Sequence, residues 1–149
     1  GTGIMVGSPY QTIDNLIEDI LYIENLQPEM IGIGPFLPHH DTPFAMMLGK
    51  FEPDTAPTLH FPSDASHALI PSTTALATLS PEGREKGILA GANVVMPNLS
   101  PVIQRSKYSL YDNKASLGAE AAEGLLLLEQ RLKVIGYVID KGRGDYNAY

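Results

Sequence analysis

The chain has 149 residues, 44% of them hydrophobic, which is enough for one globular domain with a core of its own. Its formal net charge is −7 at pH 7, and lysine and arginine form no long basic run, so we expect no nucleic-acid partner. Cysteine is absent, which excludes disulfides and thiolate metal ligands within these residues, and no stretch approaches the ~20 apolar residues of a membrane span.

The first part of the chain predicts a strand, a helix and a second strand. Residues 4–6 are a short apolar strand, Thr12 is a suitable helix N-cap, and residues 27–28 end the helix at a proline. Residues 30–33 form the next strand. Two strands joined by one helix over such a short distance pair in parallel. The apolar residues that recur at helical spacing are Ile13, Leu16, Ile17, Ile20, Leu21 and Ile23.

The middle of the chain conflicts with this topology. Residues 46–67 are interrupted by Pro53, Pro57 and Pro62, which nearly excludes a long helix. A parallel crossover to the following strand should nevertheless contain one. We therefore expect this stretch to be irregular and to leave part of the sheet's outer face uncovered.

The third and fourth strands are predicted at residues 68–71 and 94–96. Between them lies a short helix with Ser80 as N-cap and Pro81 at its first position. Gly91 follows this helix and is suited to its left-handed end. The alternation of strands and helices thus continues through the second half of the chain.

The C-terminal part predicts a turn over residues 108–114 and then a long helix over residues 119–135. Gly136 ends this helix, and residues 137–139 have the composition of a terminal strand. The helix residues predicted to face mainly inward are Leu125, Leu126, Leu128, Leu132 and Ile135.

Each of the four predicted strands ends in a loop rich in small or polar residues. In a β/α barrel the carboxyl ends of the strands form one rim, and catalytic barrels bind substrate there. The sequence therefore favours an α/β fold with parallel strands and a site built from several strand ends. A complete barrel needs about 200 residues or more, so we expect the chain to be the C-terminal part of a larger protein.

The loop after the second strand concentrates polar groups between two prolines. His39 and His40 are adjacent, so on an extended backbone their side chains would point in opposite directions and could not face one ion. Two interpretations stay open: Asp41 caps a turn that the prolines stiffen, or the loop binds a ligand. In either case we predict no metal site in this chain.

Hydroxyl groups follow the third strand at Ser72, Thr73 and Thr74. They suit a bound carboxylate or phosphate, and they equally suit capping of the next helix. Tyr108 and Tyr111 lie three residues apart and either pack in the core or share one side of a turn. No Ser-His-Asp set, Walker loop or pair of catalytic carboxylates can be assembled, so the catalytic residues are unknown.

Taken together, the strand ends resemble one enzyme family. Their order and spacing are similar to the last four barrel strands of a radical S-adenosylmethionine (SAM) enzyme of the HydE type, the FeFe-hydrogenase maturases related to biotin synthase. The segments that carry the resemblance are Met5-Val-Gly-Ser-Pro-Tyr-Gln-Thr12, Ile31-Gly-Ile-Gly-Pro-Phe-Leu-Pro-His-His-Asp-Thr-Pro43, Ile70-Pro-Ser-Thr-Thr-Ala-Leu76 and Gly91-Ala-Asn-Val-Val-Met-Pro-Asn98.

The resemblance implies an enzyme with two cofactors, SAM and a 4Fe-4S cluster. It implies reductive cleavage of SAM to a 5′-deoxyadenosyl radical that serves assembly of the hydrogenase di-iron site. The family's CxxxCxxC cluster loop follows an early strand, and this chain has no cysteine, so we expect the chain alone to be inactive. A small-molecule substrate, other hydrogenase maturation proteins as partners, and a cytoplasmic location without membrane or nucleic-acid contact are also implied.

The resemblance further implies site residues by their position in the matched motifs, and we expect them to converge on one cavity at the carboxyl ends of the strands. The residues that would bind SAM are Met30, Gly32, Gly34, Pro35, Phe36 and Met96. The residues that would bind substrate are Thr73, Thr74, Tyr108, Tyr111 and His39.

We assign residues 1–114 to the last four β/α units of a radical SAM TIM-type barrel, and residues 115–149 to a C-terminal helix and tail. Two other functions stay open. The chain could belong to another biotin-synthase-like radical SAM enzyme with a different substrate, or it could be a non-catalytic partial-barrel binding module. A CxxxCxxC segment encoded upstream of Gly1 would favour the enzymes.

Overall fold

A computed structural model describes residues 1–47, 67–96, 102–105 and 122–146 of the chain. The predicted turn at residues 108–114, the boundary between residues 114 and 115, and most of the predicted irregular stretch lie outside these ranges. Within them, no helix is both long and apolar enough to cross a membrane. The elements in chain order are β1 (Thr2–Val6), α1 (Ile13–Leu26), β2 (Ile31–Pro35), β3 (Pro71–Ser72), α2 (Thr74–Leu79), α3 (Gly83–Leu89), β4 (Val94–Val95), α4 (Val102–Arg105) and α5 (Ala122–Val134).

The strand pairs in the described ranges are parallel, which confirms the α/β prediction. β1 pairs with β2 over five residue pairs, and β3 pairs with β4 over two. A single parallel bridge between Met30 and Leu69 connects the two pairs, so the strands follow one another in chain order. The result is two small two-stranded sheets, and a barrel stays a prediction.

Helix α1 begins and ends where the sequence predicts. Thr12 Oγ1 accepts a hydrogen bond from the Asn15 N–H at 3.3 Å, and Asn15 Oδ1 accepts one from the Thr12 N–H at 3.0 Å. This reciprocal pair satisfies two backbone donors that have no partner inside the helix. At the other end Gln27 adopts a left-handed conformation with φ 47°, and Pro28 cannot continue the helix.

Two small hydrophobic cores hold the described elements together. The predicted apolar stripe of α1 is only partly used, because Leu16 and Ile23 are buried whereas Ile13, Ile17 and Leu21 are exposed. The first core contains Ile23, Ile31 and Ala68, with Ile4, Ile33 and Ile70 packed against it. The second contains Ile88, Leu128 and Leu132, with Ala92, Val95, Ile135 and Ile139 packed against it.

The helix boundaries after β3 differ from the prediction. An additional helix, α2, follows β3 directly, and Ser80 ends it by donating its N–H to the Leu76 carbonyl at 3.1 Å. The next helix, α3, therefore begins only at Gly83, with Glu82 rather than Ser80 as its N-cap. Gly83 is required at this corner because a Cβ there would overlap the Leu76 carbonyl oxygen. The predicted strand over residues 68–71 is likewise reduced to a bridge at Leu69 and the two residues of β3.

Helix α5 lies within its predicted range and ends before Gly136, which has a positive φ of 86°. Leu126 is 61% exposed, so its predicted inward position is wrong, and residues 137–139 form no strand. Arg131 instead ties the helix to α3: its Nη2 donates to Glu85 Oε2 at 2.8 Å. The Arg131 guanidinium also contacts Glu85 Oε1 and the Pro81 carbonyl oxygen.

Candidate functional site

The carboxyl ends of β2 and β3 meet at Gly34 and Thr73. A Cβ placed on Gly34 would lie 3.5 Å from Thr73 Oγ1 and 3.9 Å from the Cβ of Ala75. Because Gly34 has no side chain, Thr73 and Ala75 lie close to the backbone at the end of β2. This contact lies at the edge of the sheet where parallel α/β proteins bind their ligands.

The Thr73 hydroxyl is buried and has no hydrogen-bond partner within the part of the chain that the structure describes. Thr73 stands at the N-cap position of α2, yet its side chain accepts no bond from the helix backbone. A buried hydroxyl without a partner costs roughly 1–3 kcal/mol. The Thr73 side chain therefore does not cap α2, and its hydroxyl is available to hydrogen-bond a bound polar group.

The other two hydroxyls of this segment have different surroundings. Ser72 is buried, and its Oγ donates to the Arg84 carbonyl oxygen at 2.9 Å, which fastens β3 to α3. Thr74 is half-buried in the first turn of α2, where its carbonyl accepts a bond from Thr78 Oγ1 at 3.1 Å. The Ser72 hydroxyl thus has a structural role, whereas the Thr73 hydroxyl has no partner among the described residues.

The loop after β1 is shaped by Gln11, a residue that the sequence reasoning missed. Its Oε1 accepts hydrogen bonds from the N–H groups of Gly7 at 2.7 Å and Ser8 at 3.3 Å, and its Nε2 donates to the Met5 carbonyl at 2.9 Å. An amide side chain can donate and accept at once, which lets it hold both sides of a turn. A glutamine between a strand-end glycine and a helix N-cap was the available signal.

Asn93 holds the second strand pair in place, a role that the sequence analysis did not predict. Its Oδ1 accepts a hydrogen bond from the Ile70 N–H at 2.7 Å, and its Nδ2 donates to the Ala68 carbonyl at 3.0 Å. Both bonds span more than twenty residues of sequence. They align the segment before β3 beside the segment before β4.

The predicted SAM-binding residues are spread along β2 and beyond. Gly32, Gly34 and Pro35 lie in the strand and Phe36 directly follows it, all half-buried. Met30 lies at the opposite end of the strand, roughly 13 Å from Gly34 at about 3.3 Å per residue. The strand geometry therefore does not bring Met30 to the edge that holds Gly34 and Thr73.

The remaining predicted residues are distributed as follows. Met96 follows the carboxyl end of β4 and is 52% exposed. Tyr108 and Tyr111 lie outside the described residues. His39 lies in the loop after β2 and is half-buried.

The loop after β2 corrects the predicted geometry of the two histidines. The rings of His39 and His40 stack with centroids 4.4 Å apart and an interplanar angle of 22°. The expectation of opposite directions is wrong because the backbone turns here instead of extending: the Thr42 N–H donates to the His39 carbonyl at 3.0 Å. The turn is held by the Thr42 hydroxyl, which donates to the same carbonyl at 2.8 Å, and by the His39 Nδ1, which accepts from the Asp41 N–H at 3.1 Å.

The two cofactors that the resemblance implies fit these residues unequally. The chain contains no cysteine, so none of its thiolates can ligate an iron–sulfur cluster, and the residues do not fit that group. The carboxyl ends of β2 and β3 are chemically compatible with a polar organic ligand, because a buried hydroxyl that has no partner among the described residues lies beside Gly34.

Comparison with known proteins identifies a curated relative that the chain matches over part of its length. No protein-family model matches the chain. Over 118 residues the chain is 44% identical to the [FeFe] hydrogenase maturase subunit HydE of Thermotoga maritima. The match covers 76% of this chain and 33% of the maturase, so the chain spans about a third of the length of that relative.

Proposed function

Since the chain belongs to the HydE family of [FeFe] hydrogenase maturases, which are radical SAM enzymes, we propose that it forms part of the wall of a cavity that binds SAM and substrate. When bound in the whole enzyme, SAM and a 4Fe-4S cluster held outside this chain supply the reductive cleavage that yields a 5′-deoxyadenosyl radical for assembly of the di-iron site. A small-molecule substrate, other hydrogenase maturation proteins as partners, and a cytoplasmic location belong to the same proposal.

The observation that carries this proposal is the contact between Gly34 and Thr73. A buried hydroxyl without a partner favours a bound polar group, and the glycine backbone beside it allows a flat or extended ligand to approach closely. A hydroxyl at this point can donate a hydrogen bond to a carboxylate, which strengthens the bond relative to one between neutral groups. Thr73, with Thr74 beside it, would therefore hold the carboxylate of the substrate or another anion.

The remaining roles are assigned by motif position alone. Gly32, Gly34, Pro35 and Phe36 would line the SAM site, with Met96 as a further contact. Met30 lies at the other end of β2 and is left out of this assignment. Tyr108, Tyr111 and His39 would face the substrate. These residues have no assigned proton-transfer step, and the catalytic residues of the reaction stay unknown.

A chimeric maturase tests the proposal directly. In it the matched part of this chain, 76% of its length, replaces the corresponding part of the Thermotoga maritima HydE. Under reducing conditions the chimera should release 5′-deoxyadenosine from SAM, whereas the 149-residue chain alone should release none because it has no cysteine. A folded chimera that binds a cluster but does not cleave SAM would refute the proposed role.

A pair of threonine variants then locates the substrate contact. Thr73→Val in the chimera should weaken binding of the substrate anion more than binding of SAM, because only the hydroxyl is removed and the shape is kept. Thr78→Val is the matched control, since the Thr78 hydroxyl donates within α2 to the Thr74 carbonyl. Equal weakening of SAM and substrate binding in Thr73→Val would give this residue a structural role instead.

A further inference from the structure

The loop after β2 gathers three metal-ligating side chains at one point. One ligand atom from each of His39, His40 and Asp41 lies within 4.8 Å of the others. His40 Nε2 also lies 3.3 Å from Asp41 Oδ2. From this geometry we propose that His39, His40 and Asp41 form a binding site for one divalent transition-metal ion, with Zn²⁺ as the test ion.

The donor set suits this class of ion. Imidazole nitrogen binds zinc, copper, iron and nickel, and a carboxylate adds a negative charge that compensates part of the ion's charge. Three protein ligands leave coordination positions for water or a further ligand, as in zinc sites that stay open. His40 and Asp41 are exposed, so an ion can reach the site from solvent.

The loop is already shaped for binding. The Thr42 N–H and hydroxyl both donate to the His39 carbonyl. These bonds stabilise the turn that places the two imidazole rings on the same side. At its base, Phe36 and Phe44 contact each other edge to face with ring centroids 6.3 Å apart. The Phe36 N–H donates to the Val6 carbonyl at 2.8 Å, which joins the loop to β1. Because little ordering is left to do, less of the binding free energy is lost in forming the site.

An incoming ion would replace two weak contacts. The Asp41 N–H now bonds to His39 Nδ1, and His40 Nε2 contacts the Asp41 carboxylate. Coordination through a ring nitrogen uses the lone pair that otherwise accepts a hydrogen bond, so the ion would compete directly with these contacts.

This proposal does not rest on the proposed function. It is tested on the 149-residue chain in the absence of SAM and substrate, after removal of bound metal with a chelator. Isothermal titration with Zn²⁺ at pH 7.5 should give saturable binding of one ion per chain. Co²⁺ in place of Zn²⁺ should give visible absorption bands that report its coordination.

Conservative variants and a matched control define the site. His40→Gln and Asp41→Asn should each weaken Zn²⁺ binding by at least about tenfold, the size expected when a metal site loses one partner. The chain has two further histidines, and the double variant His60→Ala with His67→Ala should bind as tightly as the unaltered chain. Far-UV circular dichroism checks that each variant keeps the secondary structure of the parent.

Three outcomes would overturn the proposal. The first is the absence of saturable binding, which would leave the cluster with its turn-forming contacts alone. The second is unchanged affinity in both His40→Gln and Asp41→Asn. The third is loss of binding in the His60 and His67 double variant, which would place the ion elsewhere on the chain.

Discussion

The β1–α1–β2 unit and the region from β3 to α5 are held together by different kinds of contact. In the first, five parallel residue pairs join the strands, and Ile23 of α1 packs on Ile31 of β2. In the second, the strands contain two residues each, an apolar core joins α3 to α5, and side-chain bonds between distant residues supply further connections. These bonds connect Asn93 to Ala68 and Ile70, Ser72 to Arg84, and Arg131 to Glu85.

The difference teaches where each region is vulnerable. A unit held by backbone hydrogen bonds between strands and by apolar burial should tolerate polar substitutions at its surface. It should lose stability when a buried core side chain is truncated. A region with short strands, in which individual polar side chains supplement the apolar core, should also respond to the loss of single hydrogen bonds. The following predictions test this contrast, beginning with the largest effect.

Ile23→Ala should destabilise the chain most. Ile23 is 1% exposed, and its truncation removes buried apolar surface and leaves a cavity, which costs about 2–5 kcal/mol. Ile17→Ala is the control on the same helix because Ile17 is 49% exposed, and its effect should stay within about 0.5 kcal/mol. Urea unfolding of the 149-residue chain measures both. Equal losses in the two variants would mean that the exposed face of α1 is covered in solution.

Asn93→Ala should give the next largest effect, localised in the second region. It removes two side-chain bonds to the backbone at Ala68 and Ile70, together worth about 1–3 kcal/mol. Hydrogen exchange at the Ile70 amide should also become faster, because this N–H loses its partner. Asn25→Ala is the control, since Asn25 bonds within its own helix to the Leu21 carbonyl. Unchanged exchange at Ile70 would contradict the clamping role.

The same contrast explains how much of the fold could be predicted from the sequence. In the first unit, local signals predict the strand and both ends of the helix. Thr12 marks the start of α1, and Pro28 marks its end. Parallel pairing follows from the short crossover between β1 and β2. These features depend on neighbours in sequence, so a single sequence carries them.

The features that could not be predicted depend on residues far apart in the chain. Neither the clamp by Asn93 nor the ion pair between Arg131 and Glu85 leaves a periodic pattern. Helix α3 begins later than predicted because α2 extends to Leu79. The close approach of Gly83 to the Leu76 carbonyl is a contact between two helices, and no local sequence signal predicts it. Exposure of Ile17 on an apolar stripe likewise depends on what packs against the helix rather than on the helix itself.

The candidate site shows the same division. The motif at the end of β3 drew attention to Thr73, but only the fold shows that its hydroxyl is buried and has no partner in the described ranges. For the histidine loop, spacing alone suggested diverging side chains. The observed geometry is different because the hydrogen bonds of Asp41 and Thr42 to His39 form a turn in which the two rings stack.

Two threonines at helix starts should respond with opposite sign. Thr12→Val should cost about 0.5–2 kcal/mol because it removes the cap of α1. Thr73→Val should be neutral or stabilise by up to about 1 kcal/mol, because it replaces a buried hydroxyl without a partner by a methyl group of similar size. Urea unfolding in the absence of ligand measures both. Destabilisation of the Thr73 variant as large as that of Thr12→Val would show that its hydroxyl has a structural partner in solution.

The smallest effect should come from Glu129 in the second region, and it should depend on pH. Its carboxylate contacts Lys141 Nζ at 3.4 Å and Lys133 Nζ at 3.6 Å. The hydrogen bond from Lys141 is the main cause that lowers the pKa of Glu129, followed by the charges of Lys141 and Lys133, while desolvation acts in the opposite direction. Because both lysines are exposed and the carboxylate is only partly buried, salt screens these contacts.

The sign follows from the direction of the shift. A carboxyl whose pKa is lower in the folded chain contributes stability at pH values above its unfolded pKa of about 4.3, and loses it as the pH falls through the folded value. Glu129→Gln should therefore melt slightly below the unaltered chain at pH 7, and the two should converge as the pH falls below the pKa of Glu129 in the folded chain. High salt should reduce the difference at pH 7. Glu18→Gln, at an exposed position of α1, is the control. A difference that grows toward pH 3 would contradict the lowered pKa and the contact of the tail with α5.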